Sequence, residues 1–267
     1  MPEDRKRRRP VVPTSPVPYP LRPMSATVPH LSVAAPCFNE SESIAAVVAE
    51  WEAVLDRLAA PSEIVLCNDG STDGTAAVLL ELQRRHPRLR VVSFEKNGGY
   101  GRALSAAIDA TRGAWVATID SDGQFDLADG LRLLELAERQ GVDCVTGFRQ
   151  KKQDSLFRVA ADRALNRIVR LMFGLPLRDT NCALKVARGE VLRGLRIEAR
   201  GYPTPTEICV RLAARGCRLA EAGVSHRERA GGASKLHSWR TGWNFLRFLF
   251  YLRRKLKLHR ARIIVEP

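Results

Sequence analysis

Thr118-Ile119-Asp120-Ser121-Asp122-Gly123-Gln124 ends an apolar run, 114–119, with two carboxylates and an amide spaced two residues apart. The run reads as a buried strand, and alternate side chains beyond a strand end can converge on one point. Three hard oxygen donors suit Mg²⁺ or Mn²⁺, which takes one or two protein carboxylates and fills its remaining positions with water and substrate phosphates. Asp120, Asp122 and Gln124 are therefore expected to ligate a divalent cation that carries a diphosphate. Taken alone, Asp-Ser-Asp-Gly reads equally as a solvated turn, so the surrounding pattern has to decide.

That pattern is a regular alternation. Residues 31–35 precede a helix near 41–58, 63–67 precede one near 73–85, and 89–94 precede one near 101–110. The run 114–119 precedes a helix near 127–139, and 143–146 closes the series. Apolar runs alternating with helix-period segments predict an α/β fold, a mostly parallel central sheet with helices on both faces. Ligands of such sheets bind beyond the carboxyl ends of the strands, where the polar motifs fall here. After Arg149 the alternation breaks. A basic amphipathic helix is expected over 156–173, with Arg163, Arg167 and Arg170 on one face and Leu165, Ile168 and Met172 on another. A strand reaching Val186, a helix near 206–215 and a strand over 218–224 follow.

The ends differ from the middle in charge. Lys and Arg against Asp and Glu number 6 against 2 in residues 1–30, 26 against 25 in 31–226, and 11 against 2 in 227–267. The first 30 residues join Arg5-Lys6-Arg7-Arg8-Arg9 to repeated prolines, a composition that does not bury a core and predicts a disordered tail. Residues 237–267 predict a C-terminal amphipathic helix in which Trp239, Trp243, Leu246 and Phe250 share helical spacing with Arg247, Arg253, Arg254, Lys255 and Lys257 interleaved. Its uncharged stretches are too short to span a bilayer, so contact with an anionic membrane surface is the expectation, packing on the core being the alternative. No secretory signal is expected at the N-terminus. The six cysteines have no close-paired metal spacing and read as reduced, buried thiols of a cytosolic protein. A protein peripheral on the inner face of the membrane is expected.

Three further strand ends carry polar motifs: Pro36-Cys37-Phe38-Asn39-Glu40, then Asn68-Asp69-Gly70-Ser71-Thr72-Asp73, then Lys96-Asn97-Gly98-Gly99-Tyr100-Gly101. The glycines of the last permit close approach of backbone to a ligand, though not with the spacing of a dinucleotide fingerprint or a P-loop. Taken in order over residues 31–235, these motifs resemble the family 2 glycosyltransferases, whose nucleotide-sugar-binding fold is called GT-A. Thr146-Gly147-Phe148-Arg149, Arg178-Asp179-Thr180-Asn181-Cys182-Ala183-Leu184-Lys185 and Arg229-Ala230-Gly231-Gly232-Ala233-Ser234-Lys235 are similar to the polyprenyl-phosphate sugar synthase branch, the dolichyl-phosphate mannose and glucose synthases. The resemblance implies a catalytic domain over 31–236. In it Pro36, Phe38, Glu40 and Asp69 hold the nucleoside, and Asp120, Asp122 and Gln124 bind Mg²⁺ or Mn²⁺ and through it the diphosphate. Arg229, Ser234 and Lys235 would close over the diphosphate or donor sugar, and Arg149 and Arg163 would bind the acceptor phosphate. Asn68 stands where the family commonly has an acidic residue, so UDP and GDP both stay open.

The implied reaction is an inverting, metal-dependent transfer from a nucleotide-diphosphate sugar to a polyprenyl phosphate, whose oxygen is already a nucleophile at neutral pH. Transfer to a hydroxyl acceptor would instead require a base, for which Asp179 or Glu207 are the candidates. Glu207 also reads as a carboxylate serving a helix N-terminus. His226 and His237 flank the loop of Arg229 and read as surface residues. A nucleic-acid binder is disfavoured because the middle of the chain is nearly neutral.

Overall fold

The computed structural model describes residues 28–150, 156–227 and 239–260. In chain order the strands are β1 (Leu31–Cys37), β2 (Ser62–Asp69), β3 (Leu89–Phe94), β4 (Trp115–Thr118), β5 (Cys144–Arg149), β6 (Lys185–Arg188) and β7 (Leu219–Val224). The helices are α1 (Ile44–Leu55), α2 (Thr75–Arg85), α3 (Tyr100–Asp109), α4 (Leu127–Gln140), α5 (Leu156–Phe173), α6 (Gly189–Arg193), α7 (Thr204–Ala214) and α8 (Trp239–Arg260). The expected elements are all found, with ends shifted by a few residues. The short helix α6 was not anticipated; five residues are too few to display a 3.6-residue period.

One sheet runs in the order β3-β2-β1-β4-β6-β5-β7. β1 is buried throughout because it pairs in parallel with β2 on one side and β4 on the other. Alternate residues feed opposite layers. Leu31, Val33, Ala35 and Cys37 join a core with residues of α1, α2 and α4, and Ala34 joins a second core with residues of α3, α6 and α7. Ser32, on the same strand, is polar yet fully buried. Its hydroxyl donates to Glu63 at 2.7 Å and accepts from the Gly113 N–H at 2.8 Å, so no polar atom there is left unpaired.

β6 alone is antiparallel to its neighbours, pairing Lys185 with Thr118 of β4 and with Thr146 of β5. It therefore enters the sheet from the edge at which β4 and β5 end. The turn before it, residues 178–184, is delivered to the same edge as the Asp-Ser-Asp stretch. A third cluster ties α5, α7 and α8 together around Val169, Leu177, Cys209, Phe245, Leu249 and Leu252.

Candidate functional site

The chain leaves β1 toward β2 on one side and reaches β4 on the other, so the ends of β1, β2 and β4 border the crevice where the order reverses, the usual ligand position in an open α/β sheet. Local sequence explains how the three ends are knitted together. Ala34 accepts from the Ile119 N–H, so Pro36, two residues on, also faces the β4 side, beyond the last paired residue Thr118. There its missing N–H forfeits no ladder bond, and its carbonyl accepts from the Ser121 hydroxyl at 2.7 Å. Asn39 adopts φ 56°, the left-handed region that asparagine tolerates. It bonds the turn after β2 through its N–H to Ser71 at 3.0 Å, through its Oδ1 from the Thr72 N–H at 2.8 Å and through its side-chain N–H to Thr72 Oγ1 at 3.3 Å. The Glu40 N–H donates to Thr75 at 2.9 Å. Asp73, against desolvation that raises it, is drawn down to about 2 by the combined hydrogen bonds from Thr75 and Ser41.

Asp69 ends β2 and is only 2% exposed. One of its oxygens accepts from the Gly98 N–H and the other from the Gly99 N–H, both at 2.8 Å. Its bonds thus go to the glycine loop, and any part it plays toward a nucleoside runs through that loop. Asn68 is buried too, and its Oδ1 accepts from the Ser71 N–H at 3.1 Å; the departure from the family pattern falls on a residue that shapes a turn. Tyr100, partly buried at the start of α3, donates its hydroxyl to Asp120 Oδ1 at 2.8 Å. Burial, then the carboxylates of Asp120 and Asp122, push its phenol well above the usual range, so the hydroxyl stays protonated. Asp122 accepts from the Gln124 N–H at 3.1 Å. Gln124 is tied to Arg227, whose N–H donates to the Gln124 carbonyl at 2.8 Å and whose carbonyl accepts from the Gln124 side chain at 3.3 Å.

Asp120 and Asp122 are both partly exposed, on a loop anchored by Ser121, so two hard oxygen donors face the crevice edge. Among the described residues, no group of three or more His, Cys, Asp or Glu side chains is arranged to hold a metal ion. A donor set of two carboxylates fits Mg²⁺ or Mn²⁺ completed by phosphate oxygens and water, and does not fit a closed protein cage. The side-chain N–H of Gln124 donates to the Arg227 carbonyl, and the ligating atom of the expected third ligand is the other end of that amide, its oxygen.

The second half of the site lies at the ends of β5 and in the turn before β6. Arg149 is 15% exposed and donates to Asp179 through Nε at 2.8 Å and Nη2 at 3.2 Å, with Asp162 of α5 at 3.5 Å. Against desolvation, these carboxylates raise the guanidinium further, so it is permanently charged. Arg163, by contrast, is exposed on α5. Lys185 is buried, and its ammonium donates to Thr146 Oγ1 at 2.9 Å, the Cys182 carbonyl at 2.6 Å and the Thr180 carbonyl at 3.2 Å, which pins the turn carrying Asp179 to β5.

Glu207 had two readings, base or helix-terminus carboxylate, and its contacts favour a structural one. It is fully buried in the first turn of α7, where it accepts from the Glu198 and Ala199 N–H groups, at 3.0 and 2.7 Å, and from Arg211 at 2.7 Å. Its lone pairs hold backbone, so it is a structural carboxylate and no base. Asp179, 3% exposed and gripped by Arg149, is likewise committed. Of the expected site residues, the structure brings Pro36, Phe38, Glu40, Asp69, Asp120, Asp122 and Gln124 to neighbouring strand ends and sets Arg149 at the end of β5. His226 packs edge-on against Phe125, at 4.9 Å between ring centroids. Arg229, Ser234, Lys235, His237 and most of the basic N-terminal segment lie outside the described residues. Tyr100 was missed: the signal was its place between Gly99 and Gly101, where the glycines drew attention and the aromatic did not. Lys185 was noted in a motif without a role, because burial is not visible in a lone lysine.

Comparison with known proteins bears on the family and the fold. The model of glycosyl transferase family 2 matches residues 32–192. An undecaprenyl-phosphate 4-deoxy-4-formamido-L-arabinose transferase of Edwardsiella ictaluri is 35% identical over 78% of this chain and 63% of its own length. A dodecaprenyl-phosphate galacturonate synthase of Rhizobium johnstonii is 29% identical over 85% of this chain and 69% of its own. The chain thus spans a little under two thirds of the first of these relatives. Among solved structures, glucosyl-3-phosphoglycerate synthase of Mycobacterium tuberculosis with phosphoglyceric acid superposes with a TM-score of 0.66 at 21% identity, over 84% of this chain and 80% of that one. The same enzyme with Mn²⁺ and UDP-glucose gives 0.64 at 22%, over 84% and 79%. At that identity the likeness shows a shared fold.

Proposed function

Since the chain belongs to glycosyl transferase family 2, we propose that it transfers a sugar, with inversion, from a nucleotide-diphosphate sugar to a polyprenyl phosphate. The observation that carries this reading is the meeting of Asp120 and Asp122 with the ends of β1 and β2 at the reversal of the sheet. Asp120 and Asp122 would hold Mg²⁺ or Mn²⁺, which, when bound, supplies positive charge to a leaving diphosphate. Residues 36–40 and the glycine loop held by Asp69 line the side on which the nucleoside would lie, with UDP and GDP as candidates. The Edwardsiella relative, an undecaprenyl-phosphate sugar transferase, and the Rhizobium relative, a dodecaprenyl-phosphate galacturonate synthase, support a polyprenyl-phosphate acceptor.

The state of the carboxylates supports the same acceptor. Attack by a hydroxyl needs a base, and both acids weighed for that role are engaged, Asp179 by Arg149 and Glu207 by two backbone N–H groups and Arg211. A phosphate dianion needs none. Exposed Arg163 would meet the entering phosphate, with Arg149 behind it fixing the Asp179 turn; Arg229, Ser234 and Lys235 would close over the donor.

The acceptor's apolar tail calls for a membrane surface, and α8 has a face for one. Phe245, Leu249 and Leu252 pack on α5 and α7, while Trp243 (57% exposed), Arg247, Phe250 (62% exposed) and Arg254 look outward on the opposite face. Aromatics interleaved with cations suit an anionic interface. No helix among the described residues is long and apolar enough to cross a membrane. The deciding experiment offers labelled UDP- and GDP-sugars with Mg²⁺ or Mn²⁺ to undecaprenyl phosphate and, separately, to the free polyprenol. Label on the phosphate and none on the alcohol is expected; label on the alcohol alone would overturn the acceptor assignment.

A further inference from the structure

Tyr100 stands at the centre of a rigid bridge between two strand ends. Immediately before it, the Gly98 and Gly99 N–H groups are held by the two oxygens of Asp69 at the end of β2. Immediately after it, Gly101 lies so close to the Ala199 carbonyl that a Cβ there would stand 1.7 Å from that oxygen. Gly99 has φ 94°, a conformation open to glycine, and a Cβ on it would meet the Arg200 carbonyl at 2.4 Å. Both flanks of Tyr100 are therefore clamped, and its ring leaves α3 from a fixed origin. From there the hydroxyl crosses to the end of β4 and donates to Asp120 Oδ1 at 2.8 Å.

We infer that Tyr100 is a positioning residue for Asp120, setting the carboxylate in the orientation that a divalent cation requires, and that Asp69 serves the same end by seating the loop from which Tyr100 departs. The inference rests on the proposal that Asp120 ligates the metal. A carboxylate just past a strand end turns about two torsions, and a donor on one of its oxygens restricts its plane. Hydrogen bonds of this kind behind a ligand commonly change metal affinity about 10–100-fold. Ser121 anchors the backbone of the same loop through Pro36, so Tyr100 supplies the restraint that the backbone bond does not, on the side chain itself.

The test is Mn²⁺ titration, followed by the electron paramagnetic resonance signal of free Mn²⁺ in the presence of UDP or GDP. Tyr100→Phe keeps the ring and the clamp and removes only the hydroxyl. It should raise the Mn²⁺ dissociation constant about 10–100-fold, with a thermal midpoint close to that of the unaltered protein. Asp69→Asn is the second variant, since its amide nitrogen accepts from neither glycine. It should also weaken Mn²⁺, by loosening the loop from which Tyr100 departs. If the unaltered protein binds Mn²⁺ and Tyr100→Phe binds it equally well, the inference is wrong and the metal reading stands. If the unaltered protein binds no Mn²⁺ with either nucleotide, the metal reading falls and takes the inference with it. Unchanged Mn²⁺ affinity in Asp69→Asn beside a weakened Tyr100→Phe would overturn the part assigned to Asp69.

Discussion

Asp122 shows how one side chain carries the proposed chemistry. It is partly exposed, and its described hydrogen bond is a single one from the Gln124 N–H, so the fold depends on it little. Asp122→Ala should lower sugar transfer by roughly 100-fold or more, as loss of a metal-held charge does, while far-ultraviolet circular dichroism and the unfolding midpoint remain those of the parent. Retained transfer in that variant would remove Asp122 from the metal site. Glu207 is the opposite case, a carboxylate that sequence alone leaves ambiguous between base and helix-terminus partner. Burial decides it. Glu207→Ala would take the acceptor from the Glu198 and Ala199 N–H groups and one of two carboxylates from Arg211, which keeps its ion pair with Glu198, a change that should cost about 3–5 kcal/mol. Urea denaturation would measure it, and a near-parental midpoint would contradict the structural role.

At the level of elements, the two faces of α8 differ in burial. Its inner face is held by Phe245, Leu249 and Leu252 and by Lys255, which pairs with Glu198, as does the Tyr251 hydroxyl. On its outer face Trp243 and Phe250 are exposed. Replacing both outer aromatics with Ser should weaken co-sedimentation with anionic vesicles by about tenfold per aromatic, in line with the apolar area each would bury, without lowering thermal stability. Unchanged sedimentation would assign that face elsewhere. The helix was legible from its spacing, and so was the alternation from β1 through α4. β6 was legible only as a strand; its antiparallel direction was not, because four residues carry no mark of orientation. That direction follows from where residues 178–184 return to the sheet, a tertiary matter.

For the whole molecule, two cores flank the sheet and a third joins α5, α7 and α8, and the thiols report on how well they exclude water. Burial pushes Cys37, Cys67 and Cys182 up to about 12 and Cys217 up to about 11, and raises Cys144 beyond them. A raised value keeps each thiol protonated at neutral and mildly alkaline pH, and the protonated form is inert. Ellman's reagent at pH 8 should therefore react slowly with the native protein and reveal six thiols after guanidinium denaturation. Rapid native reaction would show that the cores open more readily than their packing implies.

Local order along the chain was enough to establish the α/β alternation, the polar strand ends and the acidic pair at 120 and 122, because strand and helix periods and turn residues act over a few neighbours. Distance along the chain hides the rest. That Tyr100 meets Asp120, that Arg149 closes on Asp179, and that Glu207 spends itself on the backbone of Glu198 and Ala199 all depend on β1 lying between β2 and β4 and on β6 running backward. Such contacts arise when the hydrophobic layers choose the strand order, and a side chain's burial, which sets what its charge can do, exists only after that choice.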